Sequence, residues 1–280
     1  MPSNDAEALL RHIQEADAIL VGAASGMSAA AGYRFYYERD ALFLKWFGDF
    51  EEKYGFHNAF DGYYYRFPTR EEFWAYTARF IRLVYESNAG KPYADLSALL
   101  QGRNYHVLTT NQDALFTQIC PPEKLSAIQG DWRYFQCKRR CHDAIYPNKE
   151  QVYAMTEAIS DCRIPSELVP RCPKCGGEME PWVRGHEFLE GSKYQDEYRK
   201  VNEFLQENQH KKLLFLELGV GRMTPMFIQQ PFWSLTWQLP QAFYITINPR
   251  DAIVPQRIAQ KSLAIRQDIA AVLDAARKLC

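Results

Sequence analysis

The chain lacks any stretch approaching the roughly 18–20 uninterrupted apolar residues of a membrane span, so no transmembrane helix is expected. Its opening, MPSNDAEALLRHIQEADAIL, has no basic segment followed by an apolar one, so no secretory leader is expected either. Net charge is nearly absent: 33 Lys and Arg face 34 Asp and Glu, a formal −1. That balance gives no electrostatic reason to expect nucleic acid or a membrane surface as a partner. Internal repeats and low-complexity tracts are also missing. With no export signal, the expected location is the cytoplasm, where the seven cysteines should be reduced or metal-bound rather than disulfide-linked.

What is present suits a sizeable core: 47% of the 280 residues are hydrophobic, against 24% charged. Residues Asp5 to Ala16 have helical apolar spacing. The run Ala18–Gly22 then reads as a buried parallel strand, and the same type recurs at His106–Thr109, Leu213–Leu218, Phe243–Ile247 and, shorter, Ser262–Ile265. Helical patterns occupy Arg70–Ser87, Pro92–Gln101, Lys193–Gln209 and Asp268–Lys278. Strands alternating with helices predict an α/β fold, a Rossmann-type doubly wound parallel sheet. Two stretches break the rhythm. Aromatic-dense Tyr33–Tyr65 suggests an insertion of loops and short helices, and Trp132–Gly185 a small module. The expected division is a dinucleotide-binding domain from 1–33, 88–131 and 186–280, a helical, aromatic insertion at 34–87, and a zinc-ribbon module at 132–185.

Five segments fall at or just beyond strand ends, where open α/β sheets bind ligands. Val21–Gly32 (VGAASGMSAAAG) ends a strand in small residues, which lets backbone approach a pyrophosphate, although a tight packed turn would look the same. Thr109–Leu115 (TTNQDAL) offers Asn111 and Asp113, which could equally build an Asx turn. Leu125–Asp131 brings Gln129 and a glycine. Gly219–Pro225 (GVGRMTP) supplies another small-residue turn, and Asn248 ends the strand at Phe243.

The cysteines form a separate signal. Cys137-x3-Cys141 is followed by Cys172-Pro-Lys-Cys175-Gly-Gly, two short-range pairs that match tetrahedral Zn(II) held by four thiolates. A closed four-cysteine site has no open position, so the metal should be structural. Cys162 is a possible substitute ligand; Cys120 and Cys280 carry no assignment.

Taken in order, these pieces resemble the sirtuin family over nearly the whole chain. Gly22, Ala23, Gly26 and Ser28 resemble its G-A-G-x-S loop with Ala24-Ser25 inserted, and T-T-N-Q-D resembles its T-Q-N-I-D. The cysteine pairs, the turn Gly219-Val220-Gly221 and Asn248 are similar to the family's zinc knuckles, G-T-S turn and adenosine-binding asparagine. Three departures stand out. Gln129-Gly130 occupies the place of the catalytic H-G pair, Arg34-Phe35-Tyr36-Tyr37 replaces P-D-F-R, and Pro181-Trp182-Val183-Arg184 replaces the substrate strand. A glutamine cannot accept the ribose-hydroxyl proton that deacylation requires, but nicotinamide displacement needs no such base. This pattern is most similar to the macrodomain-linked (class M) sirtuins.

The resemblance implies an NAD-dependent protein ADP-ribosyltransferase, whose partners would be a lipoylated glycine-cleavage-type carrier as acceptor and a macrodomain hydrolase. It also implies roles. Asn111 would orient the nicotinamide ribose, Asp113 hold the carboxamide, and Gln129 take the other side of the ribose. Gly22, Ala23, Gly26 and Ser28 would meet the pyrophosphate with Gly219, Val220 and Gly221 nearby; Asn248 would hold the adenosine ribose and Asp268 lie near the adenine. Phe35, Tyr36 and Tyr37 would close over nicotinamide or serve as ordinary packing. Arg184 would steer the acceptor or be a plain exposed arginine. The competing readings are a deacylase with a substitute base, such as a water held by Asn111, and a silent NAD or ADP-ribose sensor.

Overall fold

The structure, a computed structural model, describes residues 4–280. Among them the strands are β1 (Ala18–Ala23), β2 (Tyr105–Thr109), β3 (Leu125–Ala127), β4 (Gly130–Cys137), β5 (Ile145–Pro147), β6 (Met179–Val183), β7 (Leu213–Leu218), β8 (Phe243–Ile247) and β9 (Ser262–Ile265). Six of them form one parallel sheet in the order β3-β2-β1-β7-β8-β9. Every residue of β1 and β7 is buried, because helices cover both faces, and this is why β1 reads as an unbroken apolar run and β7 as one interrupted only by Glu217.

The helices are α1 (Asn4–Glu15), α2 (Ser25–Ala30), α3 (Ala41–Tyr54), α4 (Ala59–Tyr64), α5 (Arg70–Glu86), α6 (Gly90–Leu100), α7 (Lys149–Glu157), α8 (Ser192–Asn208), α9 (Gln229–Gln238) and α10 (Ile269–Arg277). Strand alternation sorts the core into two layers. Ile19, Val21, Val107, Leu216 and Ile245 pack against α1, α6 and α10; Leu20, Leu108, Phe215 and Tyr244 pack against α8 and α9. None of the helices is long and apolar enough to cross a membrane, among the described residues.

One charged group sits inside the second layer. Glu217 in β7 is fully buried and accepts hydrogen bonds from Tyr244 Oη (2.6 Å), Thr246 Oγ1 (2.9 Å) and Gln229 Nε2 (3.1 Å). All three donors favour the carboxylate, yet burial outweighs them and pushes the group up to about 7.

The remaining elements form a second lobe. Strands β5-β4-β6 make an antiparallel sheet, and a single apolar cluster joins Phe43, Phe47, Phe50, Trp74 and Phe80 to Trp132, Phe135, Met155 and Val183. Where loops and short helices are expected, α3 runs for 14 residues. Asp40 caps its start, accepting from the Phe43 N–H, the Phe43/Phe47/Phe50 spacing buries one face, and Gly55 ends it in a left-handed conformation. Helix α5 begins with a complete capping box between Thr69 and Glu72.

Candidate active site

The chain runs β1 to β3 toward one edge of the sheet, then returns to place β7 to β9 on the other side of β1. Adjacent strands β1 and β7 therefore send their following loops in opposite directions, and a crevice opens beyond their carboxyl ends. A cleft of about 960 Å³ lies there, between the sheet and the second lobe. Gly26, Ser28, Phe35, Asn111, Asp113, Gln129, Arg184, Gly219, Gly221, Asn248 and Asp268 all line it.

Gly22, Ala23 and Val220 do not line it; they lie beneath. A Cβ on Gly22 would stand 2.4 Å from Ile228 Cγ2 and 2.6 Å from Phe232 Cε2, so its missing side chain admits the segment around α9. The Ala23 carbonyl accepts from the Thr110 N–H and Thr109 Oγ1, and the Val220 carbonyl from Asn248 Nδ2. The close approach at the loops belongs to Gly26 and Gly219. A Cβ on Gly26 would fall 2.5 Å from Gly219 Cα, and the Gly26 N–H donates to the Gly219 carbonyl at 3.1 Å.

Polar groups converge on the cleft floor. Asn111 Nδ2 donates to the Ala24 carbonyl (3.1 Å) and to Ser28 Oγ (3.0 Å), leaving its Oδ1 without a protein partner. Ser28 Oγ in turn donates to Asp113 Oδ2 at 2.5 Å. Asp113 Oδ1 accepts the Leu115 N–H, so the Asx turn and the cleft-lining position hold together. Burial pushes the Asp113 carboxyl above the ordinary range, against the hydrogen bonds from Ser28 and Leu115. Its surface is still partly open because that surface faces the cleft.

Gln129 is 8% exposed, and its Nε2 has no hydrogen-bond partner. No histidine lines the cleft. His106, on β2, is buried against Ser126 at 2.8 Å, and burial together with the charge of Lys200 draws it down to about 4. Asn248 Oδ1 accepts the N–H groups of Arg250 and Asp251, so this side chain shapes the loop after β8 as well as lining the cleft. The Asp268 carboxylate caps α10 through the Ala271 N–H. Arg184 is not the freely exposed arginine of the plainer reading. Its guanidinium pairs with Glu190 at 2.5 Å and lies 4.3 Å from the Phe188 ring centroid, with Nε buried and unpartnered.

The four cysteines of the two pairs gather in the second lobe, their sulfurs all within 4.8 Å of one another. Cys137 and Cys175 are 3.7 Å apart, and Cys141 and Cys172 3.8 Å. Zinc–sulfur bonds of about 2.3 Å set tetrahedron edges of roughly 3.8 Å, so the donor set fits Zn(II). The wider first spacing closes because Arg140 adopts a positive φ of 50° and donates its N–H back to the Cys137 carbonyl. Burial alone would raise the Cys172 thiol, but the N–H groups of Cys175 and Lys174 and the neighbouring sulfurs draw it down to about 7. Cys162 is not part of the cluster.

No protein-family model matches the chain. A protein ADP-ribosyltransferase from Staphylococcus aureus (strain Mu50) is 34% identical over 278 residues, 98% of this chain and 87% of that protein. The chain belongs to the sirtuin-type, NAD-dependent protein ADP-ribosyltransferases. A probable bifunctional ADP-ribose hydrolase/ADP-ribosyltransferase from Fusarium oxysporum is 30% identical over 78% of this transferase and 38% of its own length. Among solved structures, a Sir2 homolog–NAD complex superposes with a TM-score of 0.60 at 17% identity, covering 98% and 93% of the two chains. A sirtuin solved in a study of substrate affinity gives 0.62, also at 17% identity, covering 98% of each.

Sequence reasoning missed several cleft residues of this transferase. Tyr64 (62% exposed) and Met223 (66%) join Tyr37 (49%), already expected there, in an apolar mouth to the cleft, and Gln112 lies beside Gln129. The density of aromatic residues hinted at Tyr64. The companion Phe35 is buried and packs on Phe80 with centroids 6.0 Å apart, so it belongs to the core of the second lobe as well as to the cleft wall.

Proposed function

We propose that this transferase moves ADP-ribose from NAD to a lipoylated carrier protein, releasing nicotinamide. The observation that carries this reading is Gln129: a buried amide, its Nε2 without a partner, lines a cleft that no histidine lines. In the transfer, a nucleophile of the acceptor bonds to the anomeric carbon while the glycosidic C–N bond breaks, and nicotinamide leaves with the electron pair. That step asks for orientation and for stabilisation of an oxocarbenium-like centre. A deacylase must further remove a ribose-hydroxyl proton, for which a neutral amide has no capacity.

In this reading Asn111 orients the nicotinamide ribose, its unpartnered Oδ1 available to a hydroxyl. Asp113 accepts from the nicotinamide carboxamide, and Gln129 donates to the opposite side of the ribose. The backbones at Gly26, Gly219 and Gly221 meet the pyrophosphate, while Asn248 and Asp268 serve the adenosine end. Arg184, held in place by Glu190, attracts an acidic acceptor. The exposed Tyr37, Tyr64 and Met223 suit the passage of a long apolar arm such as lipoyl-lysine. A macrodomain hydrolase as reversing partner is supported by the Fusarium relative, whose name joins both activities in one chain.

The test is intact-mass measurement after incubation with NAD, a lipoylated carrier and an acyl-lysine peptide. The expected result is one ADP-ribose adduct on the carrier, abolished in Asn111→Ala, with the acyl peptide unchanged. Loss of the acyl group without an adduct would support a deacylase instead, and neither change would support a sensor.

A further inference from the structure

Two departures from the family pattern touch each other. Gln112 stands where T-Q-N-I-D has isoleucine, and Gln129 where the H-G pair has histidine. Gln112 Nε2 donates to the Gln129 main-chain carbonyl at 3.0 Å. The same carbonyl accepts the Arg184 N–H at 2.8 Å, so it receives one donor from the loop after β2 and one from the segment after β6. The main chain of Gln112 is itself tied down, its carbonyl accepting the Trp132 N–H at 3.2 Å. Just beyond, Gly130 has φ +86°, and a Cβ there would lie 2.1 Å from the Trp182 carbonyl oxygen.

The peptide bearing Gln129 is therefore fixed from several sides, while its side-chain Nε2 is buried at the cleft with no partner. A buried donor left open in this way is costly unless a ligand satisfies it. An isoleucine at 112 could not donate to the carbonyl. We infer that Gln112 is a positioning residue: it fixes the main chain of Gln129 so that the Gln129 amide meets the nicotinamide-side ribose without reorganisation. The inference rests on the reading of Gln129 given above.

The test compares Gln112→Met, of similar length without a donor, and Gln112→Glu, of the same shape, with wild type and Gln129→Ala. Single-turnover nicotinamide release should slow roughly five- to tenfold in both Gln112 variants, the worth of one hydrogen bond. KM for NAD and the thermal midpoint should stay near wild type. The Glu variant should recover relative to wild type as pH falls and its carboxylic acid can donate again, whereas the Met variant should not. In a Gln129→Ala background, Gln112→Met should have no further effect. A Met variant at the wild-type rate beside a slow Gln129→Ala would overturn the positioning role and leave the Gln129 reading standing. An additive loss in the double variant would also overturn it. A Gln129→Ala enzyme at the wild-type rate would overturn both.

Discussion

Replacing Glu217 by glutamine should remove a pH dependence built into the centre of the parallel sheet. Three hydrogen bonds favour the Glu217 carboxylate, but burial wins and holds the group at about 7, against an ordinary 4.5. Between those two values the folded chain keeps a proton that the unfolded chain has released. Stability must then fall as pH rises through that window and level off above it. Moving one carboxyl from 4.5 to about 7 corresponds to roughly 3 kcal/mol lost by pH 8. Glutamine keeps the shape and does not titrate; its carbonyl can accept from Thr246 and Gln229 while the Tyr244 hydroxyl turns to accept from its amide. Urea unfolding at pH 5 and pH 8 measures the effect. The two proteins should differ little at pH 5, and the glutamine variant should be more stable by about 1–3 kcal/mol at pH 8. Parallel losses in both proteins between pH 5 and 8 would show that burial does not dominate at Glu217, and the reasoning would be refuted.

Gln129→His would put a base at the ribose side. Deacylation of an acyl-lysine peptide should then appear and grow as pH rises through about 6.5, read by peptide mass; a silent variant would mean that the missing base is not what withholds deacylation. Gly22→Ala places a methyl 2.4 Å from Ile228 and should cost about 1–3 kcal/mol in unfolding free energy, with KM for NAD within about twofold of wild type. A large KM change would return Gly22 to the binding surface. Cys172→Ser should remove the single zinc expected per chain, measured by elemental analysis; the variant keeping its zinc would refute the four-thiolate site.

The parallel sheet was legible because burial on both faces makes each central strand a predominantly apolar run. Leu213–Leu218, Phe243–Ile247 and Ser262–Ile265 match to the residue, and β1 and β2 each extend one residue further than expected. Helix α9 left no such trace: QQPFWSLTWQ has a proline in its first turn and no charged face to set its period. Strand β4 was hidden for a different reason. Its burial pattern does not alternate, because the second lobe covers much of both sides. At the site, the cysteine spacing forecast the sulfur cluster, since ligand geometry constrains the sequence locally. The contact between Gln112 and Gln129 had no local signature, because it joins two loops through a main-chain carbonyl that any residue would supply.

The shared core of the second lobe also bears on how the chain is made. Phe43, Phe47, Phe50 and Trp74 belong to a cluster that is completed by Trp132, Phe135 and finally Val183. About a hundred residues separate Val84 from Val183, which takes on the order of 5–20 s at ordinary rates of synthesis. During that interval the aromatic side chains of α3 and α5 can pack on one another, but the cluster lacks its later members, and strands β7 to β9 have not yet been made. The aromatic insertion thus exposes apolar surface that the rest of the second lobe covers only later in synthesis.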